Sequence, residues 1–308
     1  MTQQRSIPTR VWVDILLLGL IWGASFLAIR LALFEIGFVT SVAHRVFWAA
    51  LILWGWVWVR GFDVPRGARV WGAFLVMGLL NNVIPFSLMA WGQLHIETGL
   101  TSVFNAATAI FGVVVAALIL PDERMTLRKA SGVGLGFAGV AVTIGLDSFQ
   151  SLDLRSLAQL AVVGGTISYA FASVWARMRL SGLRPEVAAA GMLTGSSLVM
   201  VPAAFLIDGV PSFALSWQAT LSVGYYVVFA TAGAYLLYYR ILATAGAANT
   251  MLVTLIIPPV SIILGALVLS EALPPNVFAG LALLILGLVI LDGRLLPKRK
   301  TAPARPKA

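Results

Sequence analysis

Ser41, His44, Arg45 and Trp48 fall at i, i+3, i+4 and i+7, the spacing that puts side chains on one face of an α-helix. A hydroxyl, an imidazole, a guanidinium and an indole together could hold a small polar solute, with Arg45 or His44 meeting a carboxylate. Arg45 lies about 11 Å in from the nearer end of its apolar stretch, at about 1.5 Å per residue. Ionisable side chains at such depth usually face a bundle interior or a water-filled cavity. The structural alternative is that Arg45 reaches outward along its own stem or pairs with Glu35 or Glu97.

Other polar groups recur at similar depth. Asn81 and Asn82 precede Pro85, and a proline cannot bond to the carbonyl four residues back, here that of Asn81. Pro258 and Pro259 likewise release the carbonyls of Thr254 and Leu255. The three prolines are the expected hinges, since transporters build midplane sites from broken helices. Thr101, Asn105, Thr108 and Gly112 share one face. Ser168 and Trp175 share another with Tyr169 beside them, and Thr231, Tyr235 and Tyr238 a third. Trp22 and Ser25 sit at the middle of the first apolar stretch. These groups would line a cavity suited to a small amphipathic solute, with plain core packing as the alternative for each.

The sequence offers no constellation for catalysis. Its two histidines, His44 and His95, make no nucleophile–base set, and no metal or cofactor is expected. Gly132-x-Gly134-x-Gly136-x-x-Gly139 lies inside an apolar run, where it reads as a close-packing surface rather than a phosphate loop. The chain has no Cys, which excludes thiol chemistry. No carboxylate lies near mid-span, for Asp14 and Asp292 sit near span ends. This argues against a cation site or a carboxylate proton relay, and leaves a facilitator or coupling through His44. Glu123 and Glu271 read as capping or charge-pairing residues at span ends.

The elements that must position these residues follow from composition. Hydrophobic residues make up 60% of the 308 and charged residues 11%, which marks a polytopic membrane protein. Ten spans are predicted: 11–33, 38–59, 70–91, 98–120, 128–146, 157–178, 187–207, 218–239, 247–270 and 275–291. The first is too long for a signal-peptide core and is expected to be retained. With the N-terminus inside, eighteen of the 21 Lys and Arg residues fall on the inner side and Arg155 alone on the outer, while Arg30 and Arg45 lie within spans. Both termini are therefore expected in the cytoplasm of a bacterial inner membrane. The formal charge of +9 sits in short loops and the tail, so the expected partners are the lipid bilayer and a small-molecule substrate, not nucleic acid. The oligomeric state is left open.

The chain also repeats itself. An apolar run ends at Glu123, followed by Gly132 and Gly139. A second ends at Glu271, followed by Gly280 and Gly287, each 148 residues on. Five spans per half is an odd number, so the second half must enter the membrane from the other side. The expected fold is an all-α integral membrane bundle of ten helices in a 5+5 inverted-topology repeat. Its halves cover 11–146 and 157–293, with a basic cytoplasmic tail over 294–308.

Trp22-Gly23, Leu-Pro-Asp-Glu123, and Ile257-Pro258 followed by Leu269-Ser-Glu271 resemble the drug/metabolite transporter superfamily, in particular its ten-span members with two EamA-type halves. The general character is similar to YddG-type exporters of aromatic and other amino acids. The resemblance implies ten helices, a central cavity between the halves and alternating access. The family often has Pro in the fourth span where this chain has Ala109-Ile110, so unequal kinking of the two halves is expected. Export of small neutral metabolites, amino acids first among them, is the expected function. The rivals are an organic-anion or phosphorylated-metabolite exchanger using Arg45, a membrane scaffold or sensor, and a membrane-embedded enzyme.

Overall fold

A computed structural model describes residues 9–145, 153–211, 214–246, 250 and 252–292. The connection 146–152 between the halves and the tail 294–308 lie outside the described residues, as does the start of the ninth span. Ten helical rods run through the described chain. They are α1 (Thr9–Ala32), α2 (Phe38–Val59), α3 (Ala68–Gly92), α4 (Thr98–Ile119) and α5 (Leu127–Ile144), then α6 (Leu154–Arg179), α7 (Pro185–Ile207), α8 (Trp217–Ala245), α9 (Val253–Leu269) and α10 (Pro275–Asp292). Eight are long and apolar enough to cross a bilayer by themselves. Of the other two, α9 is apolar but shorter, and α5 carries Arg128 and Lys129 in its first turn.

Contacts at the helix ends fix the direction of each rod. Glu35, after α1, accepts from the backbone N–H and hydroxyl of Ser216, before α8. Asp208, after α7, accepts from the Thr40 N–H at the start of α2 (2.7 Å). Glu271, after α9, caps the start of α4 by accepting from Thr98 N (2.9 Å), Thr98 Oγ1 (2.5 Å) and Gly99 N (3.4 Å). Glu97 holds Arg155 at the start of α6 through two hydrogen bonds, 3.1 and 2.8 Å long. We call this the acidic end. At the other, basic end, Arg177 meets Asp122 and Glu123, and Arg240 meets Asp14. Thus α1 ends at the acidic end whereas its repeat mate α6 begins there, which is the inverted topology.

The pairings obey the exchange of each rod for the one five places on. α2 lies on α7 and α5 on α10, α1 packs on α9 as α6 packs on α4, and α3 packs on α6 as α8 packs on α1. Local winding follows the same rule. α3 passes through a π-helical segment at Leu79–Val83, and α8 through a longer one at Tyr225–Gly233, 148 residues on. The α3 segment lies immediately before Pro85: Ile84 N–H reaches back five residues to the Leu79 carbonyl, absorbing the bond the proline cannot make. α8 has no proline and winds the same way. The fourth span breaks too, at Ala107, between Thr98–Ala106 and Thr108–Ile119. This break needs no proline. By contrast α9 runs continuously through Pro258 and Pro259.

Candidate functional site

The mid-bundle polar residues gather where α1, α2, α3, α6 and α8 meet. Arg45 is the centre. Its Nε donates to Thr231 Oγ1 (2.9 Å) and its guanidinium carbon lies 3.9 Å from the centre of the Phe86 ring. Thr231 in turn donates to the Tyr226 carbonyl five residues back (2.7 Å), so the π winding of α8 aims the acceptor at the arginine. None of the ion pairs among the described residues includes Arg45: Glu97 is taken by Arg155, and Glu35 by Ser216. The two carboxylates weighed as partners of Arg45 are thus occupied elsewhere.

A second group adjoins it. Asn81 Nδ2 donates to the Tyr235 hydroxyl (3.1 Å), which donates to Asn82 Oδ1 (3.2 Å), and Asn82 Nδ2 donates to Ser196 Oγ on α7 (2.9 Å). Asn82 is fully buried and Asn81 half-buried, so one amide is structural glue while its neighbour keeps some exposed surface. Ser168 donates to the Leu80 carbonyl (2.7 Å), a carbonyl inside the π segment. Tyr169 stands edge-on to Phe86 at 6.4 Å. Trp22 donates to the Ala230 carbonyl (3.1 Å) and tilts against Tyr238 at 5.9 Å.

Access is graded along the bundle. Toward the acidic end Ser25, Ser41, Thr98 and Thr101 are buried. Ser25 donates to its own helix at the Trp22 carbonyl, and Ser41 donates to Tyr226 OH (3.2 Å). Gln93 closes the same end, donating to the Phe26 carbonyl (2.9 Å) while its own carbonyl accepts from Arg30. One layer toward the basic end, Trp22, Arg45, Asn81, Tyr169, Tyr235 and Tyr238 are half-buried. These half-buried groups lie just below the buried layer at the acidic end.

Several expected site residues lie elsewhere. The proposed four-residue face of α2 splits in two. Ser41 and Arg45 turn toward α8, whereas Trp48 turns outward with Phe47, Leu51 and Ile52 and is 41% exposed. Trp48 therefore stands on the outer surface of the bundle and not beside Arg45's partners, although its indole N–H reaches back to His44 Nδ1 (3.0 Å). The cause is the burial of Val42, Val46, Ala49 and Leu53, which sets the inward face of α2 one step away from the polar stripe. Trp175 packs toward the basic end, donating to the Ala73 carbonyl (3.1 Å) with Arg179 over its ring. Asn105 and Thr108 flank the α4 break, where Thr108 Oγ1 is buried without a hydrogen-bond partner. Thr254 lies in the first turn of α9 and Pro85 is buried just past the π segment of α3. Pro258 is buried and Pro259 exposed. Reading the sequence missed Phe86, Tyr226 and Ser196. Tyr226 and Tyr235 are nine residues apart, about two and a half α-turns, so helical spacing puts them on opposite faces. Only the wider π winding brings both to the side of α8 that faces α2 and α3.

Two stretches of this chain, 12–145 and 156–291, match the profile of the EamA-like transporter family. The chain is 27% identical to a probable terminal-alkyne amino-acid exporter of Streptantibioticus cattleyicolor, covering 95% of this chain and 96% of that protein. It is 20% identical to the uncharacterized transporter YoaV of Bacillus subtilis, over 91% and 95%. It is 25% identical to an uncharacterized transporter of Archaeoglobus fulgidus, over 91% and 98%. A crystal structure of a protein 18% identical superposes with a TM-score of 0.66 over 93% of this chain and 99% of that one, a likeness of fold.

Proposed function

The chain belongs to the EamA-like transporter family, and from that premise we propose that it exports small carboxylate-bearing metabolites, amino acids first among them, by alternating access. The observation that carries this reading is Arg45: a guanidinium inside the bundle, steadied by Thr231 and Phe86, in no ion pair among the described residues. A carboxylate seated on it would supply the missing counter-charge through a charge-assisted, two-pronged hydrogen bond. Tyr169, Tyr235 and Asn81 offer hydroxyl and amide groups to the rest of the solute, and Trp22 and Tyr238 an aromatic wall. The name of the Streptantibioticus relative supports an amino acid as the solute class.

By the excess of Lys and Arg, the basic end faces the cytoplasm, with both termini there. In this reading the buried layer at the acidic end roofs a hollow lined by the half-buried groups, a conformer closed to the outside. The halves 11–146 and 157–293 would rock against each other about Pro85 and the wound segments of α3 and α8. We read transport and not catalysis, since the interior groups form no acid–base pair.

A second reading, exchange of an organic anion, is favoured by the same arginine, because no carboxylate of the chain lies at mid-span to receive an ammonium group. Uptake into sealed liposomes by the purified protein separates them. Saturable uptake of neutral or aromatic amino acids, abolished in Arg45→Gln, is expected. Exchange of monoanionic organic acids with no amino-acid uptake hands the site to the second reading. Uptake unchanged in Arg45→Gln overturns both. A dependence on the pH gradient would direct attention to His44.

A further inference from the structure

A cleft at the basic end, outside the central hollow, has the features of a built site. Its floor is the α2–α3 connection. Phe62, Asp63, Val64, Pro65, Arg66 and Trp71 border a cavity of about 740 Å³. The connection is pinned rather than loose: Trp71 donates its indole N–H to the Pro65 carbonyl (2.9 Å) and stacks on Trp54 at 6.1 Å, and Trp54 donates to Thr194 on α7 (2.7 Å).

Two guanidiniums lie against Phe62. Arg184, at the start of α7, lies 4.1 Å from its ring centre, and Arg60, at the end of α2, lies 5.9 Å from it. The two arginines come from opposite halves of the molecule. Together with Arg66 they concentrate positive charge, and none of the three is in an ion pair among the described residues. Cation–π contacts hold these groups in place but leave their N–H donors available. Two carboxylates are near, Asp63 on the cleft wall and Glu186 on the first turn of α7. Beside the cleft the surface turns apolar, with Trp56 and Val59 exposed and Trp58 84% exposed. Arginine donors over an exposed indole shelf, at the end of a spanning helix, match a phospholipid at headgroup depth.

We propose that this cleft binds the headgroup of an anionic glycerophospholipid, with the chemistry of phosphatidylglycerol. The phosphate sits at the Phe62 edge of the cleft, taking donors from Arg60 and Arg184 and so linking the two halves of the bundle. The glycerol hydroxyls donate to Asp63, and the acyl chains run down over Trp56 and Trp58. A zwitterionic headgroup would bring an ammonium group toward Arg66, which disfavours it.

The test is native mass spectrometry of the delipidated full chain in neutral detergent, titrated with phosphatidylglycerol or phosphatidylethanolamine. Phosphatidylglycerol is expected to bind at one preferred site. Each guanidinium near a membrane surface is worth about a fivefold factor, so R60Q/R184Q weakens that site about thirtyfold, while R60K/R184K stays within a few fold. R10Q/R124Q, which removes two charges elsewhere at the same end, leaves it within twofold, on the order of measurement error for exposed charges. R184Q alone, at an exposed side chain, loses about fivefold and gives the same reading if the double variant does not fold. Equal losses in R60Q/R184Q and R10Q/R124Q would mean undirected attraction and overturn the site. So would phosphatidylethanolamine binding as tightly, or inorganic phosphate displacing the lipid at equal concentration. None of these outcomes bears on Arg45 or on transport, so the two readings fail separately.

Discussion

Gly139 on α5 lies against Gly280 on α10 so closely that a Cβ on the first would sit 2.8 Å from the carbonyl oxygen of the second. The other glycine pair of the repeat does the same: a Cβ on Gly132 would lie 2.9 Å from the Gly287 carbonyl. The repeat mates are 132 with 280 and 139 with 287, so each glycine packs on its mate's partner. That crossed pairing is what a twofold axis between antiparallel α5 and α10 requires. The glycines marked the repeat in the sequence because backbone contact across this axis excludes any side chain.

Gly280 is the less forgiving of the pair, since a Cβ there would fall 2.0 Å from Thr143 Oγ1 and 2.6 Å from the Gly139 carbonyl. The hydroxyl could rotate away, but the carbonyl belongs to the helix backbone. Gly280→Ala is expected to force α5 and α10 apart and to cost about 1–3 kcal/mol, the usual range for overpacking. Thermal unfolding in detergent measures it. Gly134, where a Cβ meets nothing within 4 Å, is the control: Gly134→Ala is expected to be neutral or slightly stabilising.

Two tyrosines of the hollow separate structure from function. Tyr235 bridges Asn81 and Asn82 (3.1 and 3.2 Å), so Tyr235→Phe is expected to cost about 1 kcal/mol of stability by unpairing a buried amide network. Tyr169 is held by its ring against Phe86. Tyr169→Phe is expected to leave the unfolding temperature unchanged and to raise the KM for a hydroxyl- or carboxylate-bearing solute. Equal effects of the two on stability would remove the distinction drawn between bridge and wall.

How far the sequence could be read depended on whether the signal was periodic. Helices have period 3.6, so the rods and their direction were legible from apolar runs, the excess of Lys and Arg at one end, and the 148-residue repeat. Arg45 was legible as an interior charge because nothing else in hydrocarbon would hold it. Trp48 was misjudged because the inward face of α2 is chosen by tertiary packing of Val46, Ala49 and Leu53, which a helical wheel cannot see. The break at Ala107 and the π segment of α8 involve no proline. The repeat could still have located the latter, since Leu79–Val83 moved by 148 falls within Tyr225–Gly233. The π winding of α3 before Pro85 is itself only hinted at by the proline.

The clasp of Glu35 on Ser216 sets a pH dependence at the acidic end. The Ser216 hydroxyl, and then its backbone N–H, hold the Glu35 carboxyl below its ordinary value of 4.5. A lowered folded pKa means that the stabilisation is complete above the unfolded value and is lost as pH falls through the lower folded one. The difference in unfolding temperature between the native chain and Glu35→Gln is therefore expected to be constant above about pH 5 and to shrink below about pH 4. A difference that grows on acidification would reverse the assignment.

Glu271 holds the roof of the hollow through Thr98 and Gly99, and its loss gives the most direct view of alternating access. The carboxylate caps the first turn of α4, so it ties the end of α9 to the start of α4 across the acidic end. Removing such a cap costs about 0.5–2 kcal/mol, enough to shift a two-state equilibrium by about two- to thirtyfold. The chain contains no Cys, so a single cysteine is an unambiguous reporter. Ser25 lies beneath this roof and is buried. In Ser25→Cys, labelling by an impermeant maleimide added at the acidic end is expected to be slow, and in Ser25→Cys/Glu271→Ala it is expected to rise by the same two- to thirtyfold factor. Labelling from the basic end is expected to fall in the double variant, because one roof opens only as the other closes. A rise from both ends would mean that the cap merely holds the bundle together, and the coupling between ends would have to be sought elsewhere.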